Sequence, residues 1–330
     1  MLRYLTCSVI LVVCNLTSSS AWAQDCGAAL DSSQLDLLER IADAEAQRPQ
    51  DDGKADGAQL ALAANVVVLR RGAGAEGDIP PAEIKAWLAT TTNSFKQNAA
   101  PFVITAQQIQ YVDVDQATYD LQRESAEETL ITEKYLRGGK SVLNIFVMGA
   151  GASAGGWSSL ELLKNTGVFA LYDWDRRQFN APTGLAHEIG HWLGLQHPFE
   201  WGCGGVMHGD LIRDTPTQAA ASRVCGVADT CVDEAGADPT DNIMGYALDC
   251  RATFTPGQVR RMINVWRWVR AGKGDEFLTD DVTDNEAPTE AGCNSGDPSH
   301  LGGAAAAALV WFALSLGLRR RRRYFTNAVR

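Results

Sequence analysis

A mixed α/β domain over residues 58–273 is what three features of the sequence predict. Apolar, β-branched runs alternate with helix-period segments, a histidine-rich helical stretch follows the last strand-like run, and an irregular segment with four cysteines precedes a final helix. Strands and helices interleaved at the start, with loops dominating the end, fit an α/β or α+β chain whose second half is loop-rich.

In chain order, SSQLDLLERIADAEA places Leu35, Leu38, Ile41 and Ala42 on one helical face. The polar stretch QRPQDDGKADG after it reads as a loop or a cleavage zone. ANVVVLR (64–70) is a buried strand. IPPAEIKAWLATTTNSFKQNA starts with prolines suited to a first helical turn, and Ile84, Trp87, Leu88 and Phe95 form its apolar stripe. FVITAQQIQYVDV, VLNIFVM (142–148) and GVFALYDW (167–174) are further strands. GAGASAGG (149–156) lacks both the G-K-[ST] ending and the G-x-G-x-x-G spacing of phosphate loops, so it is read as a sharp loop at a sheet edge. In TFTPGQVRRMINVWRWVRAGKG, Thr255 and Gln258 make a capping box and Pro256 takes the first helical position. Val259, Met262, Ile263, Trp266 and Val269 are its expected buried face, and Gly272 ends it.

Hydrophobic residues make up 45% of the 330, enough for a sizeable core. Charge is unevenly spread. The total is −11, residues 1–23 carry +1 and residues 294–330 carry +5, which leaves −17 on the body. A body that acidic repels phosphates, so nucleic acid is excluded as a partner. The first 23 residues read as an export signal, with Arg3, a short apolar run and an Ala21-Trp22-Ala23 cleavage site. A membrane anchor needs a longer run, and a lipoprotein site at Cys14 lacks small residues before it. Cleavage removes Cys7 and Cys14 and leaves Cys26, Cys203, Cys225, Cys231, Cys250 and Cys293. Export permits disulfides. The four cysteines within 203–250 allow two bridges in three pairings, and the residues alone do not choose among them.

At the other end, 301–318 is apolar and uncharged and is followed by Arg319–Arg323. Eighteen helical residues reach about 27 Å, just enough for a bilayer core, with the arginines on the cytoplasmic side. Residues 274–300 are acidic and rich in turn-formers, as in a disordered stalk. Cysteine, spacer, apolar helix and arginine cluster together resemble the myxobacterial-type C-terminal sorting signal, which implies processing or attachment at Cys293. The other reading is a permanent anchor. Either way the chain is exported and meets a membrane at least transiently through 301–323, ahead of a short tail, 324–330.

The chemistry lies in HEIGHWLGLQH, His187–His197, which holds three of the five histidines. His187 and His191 are one helical turn apart, so both imidazoles can reach one Zn²⁺. Gly194 can turn the chain out of the helix and bring His197 round as a third ligand. Three ligands leave one coordination position for water. Glu188, beside the first ligand, is placed to take that water's proton as it attacks a carbonyl and to pass it to the leaving amine. Each of the five fixed positions thus has a mechanical reason, which a core helix with incidental histidines would not need.

The full pattern resembles the metzincin metalloproteases. Their methionine turn is matched by NIMGY, with Met244 as the floor and Tyr246 as the tyrosine that approaches the metal in several groups. HEIGHWLGLQHPFEWGC, GDLIRDTP, DPTDNIMGYALDC and FTPGQVRRM together resemble the pappalysin (cytophagalysin) family over 184–263, and more loosely over 64–180. The resemblance implies a two-lobed zinc endopeptidase domain acting on proteins or peptides. It implies Cys203–Cys231 and Cys225–Cys250 bridges and structural calcium at positions matching Asp210 and Thr215. It also implies a latency switch at Cys26, whose thiolate would occupy the metal's open position and make 24–57 a prosegment; the residues alone equally allow Cys26 a disulfide, for instance with Cys293. A preference for arginine after the scissile bond would use Asp249, although the chain is one residue shorter than the family spacing between Tyr246 and Cys250.

Two other classes compete. A non-catalytic, zinc-stabilised binding or adhesion module would need no Glu188 and would usually close the metal with a fourth protein ligand. A zinc hydrolase for a non-peptide amide is compatible with the histidines but not favoured by the methionine turn.

Overall fold

β1 (Leu60–Arg70) runs through the middle of a sheet ordered β2-β1-β3-β5-β4, made with β2 (Phe102–Asp113), β3 (Leu143–Gly149), β4 (Gly156–Ser158) and β5 (Gly167–Asp173). β1, β2, β3 and β5 are parallel; β4 and the short β6 (Gln178–Phe179) pair antiparallel with β5. The computed structural model describes residues 32–47, 58–149, 156–179, 183–204 and 209–272. All of these belong to the unit Met1–Asp280. Outside the described residues lie the signal segment, Cys26, most of the glycine-rich loop, the stalk with Cys293, the apolar run 301–318, its arginines and the tail. No helix among the described residues is long and apolar enough to cross a membrane.

Parallel strands need both faces covered, which is why β1 and β3 read as nearly unbroken apolar runs. Strand alternation then sorts the side chains. Leu62, Ala64, Val66 and Val68 face one layer, with α2 (Pro81–Gln97) and α5 (Gly184–Trp192). Val67 and Leu69 face the other, packing with Phe146, Met148 and Phe169 against Tyr119, Ile131 and Tyr135. Those last three come from α3 (Gln116–Tyr119) and α4 (Ala126–Tyr135). Neither helix is expected from the sequence. α3 is a single turn capped by Asp115, and α4 buries only Ile131 and Tyr135 within its span, too few to make a visible periodicity.

The long strands β1, β2, β3 and β5 and α2 match the expected ones closely, whereas the short β4 and β6 are not expected from the sequence. α2 has Pro81 in its first turn and buries Ile84, Trp87, Leu88 and Phe95. The first helix extends to α1 (Ser32–Gln47), which buries Leu37, Leu38 and Ile41 against Leu162, Val265 and Val269.

The last helix differs from expectation. α6 (Pro256–Asn264) has the capping box of Thr255 and Gln258, but Val265–Arg270 continues as a π-helix. The wider turn rotates the apolar face by about one position. Val265 is therefore fully buried while Trp266, expected inside, is only partly covered.

From Gly194 to Thr255 the described chain has no helix and no named strand. It is held by turns, by side chains bonded to backbone, and by the bridges Cys203–Cys231 and Cys225–Cys250, whose Cα atoms are 5.4 and 5.9 Å apart.

Candidate metal centre

α5 is buried from Leu185 to Trp192, a position no ordinary surface helix occupies. It ends where the backbone turns at Gly194, whose φ of +85° suits glycine; a Cβ there would also lie 2.8 Å from Val265 Cγ2. Beyond the turn, His197 comes back to the helix.

The three imidazoles converge. His191 Nε2 lies 3.2 Å from His187 Nε2 and 3.1 Å from His197 Nε2, and all three residues are 3% exposed or less. Their other nitrogens point outward to acceptors. His187 Nδ1 is 2.7 Å from the Ile243 carbonyl, His191 Nδ1 is 2.8 Å from the Leu195 carbonyl, and His197 Nδ1 is 2.9 Å from Glu200 Oε2. Carbonyl and carboxylate oxygens only accept, so each Nδ1 carries the hydrogen, and in the neutral, metal-binding form of each ring Nε2 presents its lone pair. The short Nε2–Nε2 distances are thus contacts between lone pairs, which repel unless a cation lies among them. Burial holds His187 and His191 well below the usual histidine pKa, with their histidine neighbours, and Arg251 nearby, acting the same way. Neutral imidazoles with outward Nδ1–H bonds are the form that binds metal. The three ligand atoms lie within 4.8 Å of one another. On donor chemistry and on the arrangement of lone pairs, the site fits Zn²⁺.

Glu188 is 4% exposed, and burial pushes its carboxyl up to about 8, opposed by Arg251 and Arg123. Its Oε2 is buried with no hydrogen-bond partner among the described residues. Gly156 on β4 is what lets the strand approach: a Cβ there would be 3.2 Å from Glu188 Oε1.

Met244 is fully buried beneath the helix. A Cβ at Gly190 would meet its Sδ at 2.6 Å, so a glycine one residue before His191 is the condition for this floor. The turn itself is fixed by Asn242, whose Oδ1 accepts from Met244 N at 2.9 Å and whose Nδ2 donates to Gln258 Oε1 at 2.8 Å. The Tyr246 ring stands edge-on to His197, centroids 4.9 Å apart, Phe199 stacks on His197 at 4.7 Å, and the Phe199 and Tyr246 rings also meet at 4.9 Å, so the three rings form one cluster.

Asp210 and Thr215 are brought together, both buried. Asp210 accepts from Ile212 N through Oδ1, from Gln258 Nε2 through Oδ2 and from the Thr215 hydroxyl, and burial still pushes its carboxyl up to about 7. Asp249 is exposed on the turn after Tyr246. The two bridges are those the family resemblance implies. Cys26 and Cys293 lie outside the described residues.

Several contributors were not singled out from the sequence. Glu200 orients His197, and its position three residues on was a readable signal, since a turn places i and i+3 together. Arg251 carries its Nη1 to 3.2 Å from both the Gly245 carbonyl and His187 Nδ1. Because that Nδ1 already donates to Ile243, the guanidinium acts on His187 as a nearby positive charge. Nothing in the local sequence marks it.

Comparison with known proteins agrees with this geometry. Residues 162–267 match the family Peptidase_M43, described as pregnancy-associated plasma protein-A. An extracellular metalloprotease of Pyricularia oryzae is 47% identical over 98 residues, 29% of this chain and 34% of that protein. One from Podospora anserina is 47% identical over 90 residues, 27% and 30% of the two chains. The match thus spans about a third of these relatives' length. Among solved structures, a Tannerella forsythia promirolysin variant superposes with a TM-score of 0.56 at 20% identity, covering 77% of this chain and 99% of that one. At that identity the likeness concerns the fold. The segment that carries the three histidines, the methionine turn and both disulfides thus matches the Peptidase_M43 family model, and the mixed α/β fold around it resembles that of promirolysin.

Proposed function

We propose that the chain is an exported zinc endopeptidase in which His187, His191 and His197 hold the metal and Glu188 is the general base. The observation that carries this is the pairing of three inward lone pairs with a buried carboxylate on the same helix, one oxygen of which has no partner among the described residues. Bound by the histidines, zinc supplies Lewis acidity, polarising a carbonyl and lowering the pKa of water. Glu188 takes the proton of the attacking water, holds it on its carboxylate and delivers it to the leaving amine. A carboxyl raised by burial suits both halves of that task. β4 ends the strand order beside Glu188 and offers backbone groups to an extended peptide. The Tyr246 ring borders the same histidines and is the candidate for steadying the reacting carbonyl.

Two finer elements belong to this reading. Asp249, exposed three residues after Tyr246, is the candidate selector for arginine after the scissile bond. Asp210 and Thr215 are the candidate calcium positions. A non-catalytic module is disfavoured because the metal-competent group contains three residues, with no fourth His, Cys, Asp or Glu joining it among the described residues.

The test is cleavage of a mixed peptide library by the exported chain with zinc and calcium, beside Glu188→Gln and a chelated sample. Cleavage abolished in both controls, with cuts before arginine, is the expected result. Zinc bound to a folded chain that cuts nothing would reject the endopeptidase in favour of a binding module.

A further inference from the structure

α1 shares little with the segment that carries the chemistry. It precedes the family match, and residues 48–59 separate it from β1. Its packing is nevertheless that of a core helix. Leu37, Leu38 and Ile41 are at most 1% exposed and sit in a groove made by Leu162 and by Val265 and Val269 of the π-helix.

At the end of that apolar stripe, Glu45 is 7% exposed and meets a guanidinium that is 1% exposed. Arg261 Nε lies 3.2 and 3.1 Å from the two Glu45 oxygens, and Nη2 lies 3.0 Å from Oε2. Asn264 Nδ2 donates to Oε1 at 3.0 Å. The carboxylate is thus doubly engaged by α6 in a water-poor site. Removing either partner of such a pair leaves an uncompensated buried charge. The order of groups on α1 is a recognition pattern in its own right: apolar at 37, 38 and 41, acid at 45, all on one helical face.

We infer that this groove is a helix-binding site whose occupant is α1, and that α1 stays in it when the chain is severed between residues 47 and 58. Covalent linkage is then not what holds α1, and a cut in 48–57 gives a nicked complex. Gln34, from the first turn of α1, lines a cavity of about 360 Å³ beside Trp157 and Ser158 of β4, so a retained α1 keeps a side chain next to the edge strand. The inference rests on packing alone and holds whatever reaction the histidines support.

To test it, a specific protease site is placed within 48–57, the chain is cut, and the product is run on native size exclusion with mass spectrometry of each fraction. The expected result is co-elution of the α1 peptide with the body. Separate elution of the peptide from a body that keeps its circular-dichroism spectrum overturns the inference. The same cut on Glu45→Ala, which alters only the peptide, should weaken retention at least about a hundredfold. Titration of a labelled synthetic 32–47 peptide into the stripped body gives that ratio directly. Equal binding of the wild-type and Glu45→Ala peptides would overturn the assignment of Glu45 as the anchor.

Discussion

The sheet half and the loop half of this molecule hold the same site by different means. Residues 60–173 use strand alternation: β1 and β3 bury side chains on both faces, and their backbones are satisfied by neighbouring strands. Residues 195–255 have almost no repeating backbone pattern. There the chain is fixed by Gln258 of α6 bonding to both Asn242 and Asp210, by Asp238 accepting from Thr230, and by two bridges. Each half supplies what the other cannot. The sheet sets the height of α5 and of Glu188. The loops bring His197, Glu200, Met244 and Tyr246 around it, and an irregular backbone can place four such groups on one spot where a strand could not.

The contrast can be attacked from several directions. The largest effect should be Glu188→Gln, which touches neither support. Peptide cleavage should fall by about 10²–10⁴, with zinc content and melting temperature unchanged; retained turnover would remove Glu188 from the mechanism. Next, Phe146→Ala strikes the sheet half between Phe169 and the second apolar layer. It should cost about 3–5 kcal/mol in denaturant unfolding. Both halves should unfold together, and a loop half that melted separately would show that the two are independent.

The polar half predicts a pH response. Asp210 is raised from 3.8 to about 7 by burial. A raised carboxyl binds more protons folded than unfolded, so its stabilising contribution is fully present below about pH 4 and is lost as pH rises through about 7. On the order of 4 kcal/mol is at stake. Thermal melts of the calcium-free protein should fall from pH 4.5 to 8, and Asp210→Asn should flatten the slope. A bound calcium ion would hold Asp210 ionised, so a calcium-dependent rise in melting temperature at pH 8 that Asp210→Asn abolishes is the signature of the candidate ion site. No calcium response sinks it.

Smaller again, replacing Cys203 and Cys231 together by alanine should cost about 2–4 kcal/mol while leaving the far-ultraviolet spectrum of the sheet intact. Asn242→Ala should cost about 1–3 kcal/mol through unsatisfied partners. It should also loosen the turn that carries Met244, seen as weaker zinc binding in a chelator competition.

Legibility followed the same divide. The regular half was readable because its period is a physical consequence of burial: every long strand and α2 announced themselves. α3 and α4 did not, since a one-turn helix and a helix with two buried residues leave no stripe. The histidines were readable because their spacing encodes a turn and a stop at Gly194. Arg251 was not, nor were the bonds that the capping residue Gln258 makes to Asn242 and Asp210, because those partners are distant in sequence and no local rule brings residue 251 to residue 187. The π-turn at 265–270 moved Trp266 outward for a reason of helix winding that an α-period reading cannot contain.

The two bridges overlap along the chain, since Cys225 lies inside the loop closed by Cys203 and Cys231. In an unfolded chain, Cys203 meets Cys225, and Cys231 meets Cys250, more often than either meets its native partner, because the shorter loops close at lower entropic cost. Random oxidation therefore favours the wrong crosslinks. The native pair must be selected by a chain that has already docked this segment against the sheet, or reached by exchange from misbridged forms. A reducing shuffle before oxidation should then raise the yield of native protein, whose two covalent links record that this segment had already found its place against the sheet.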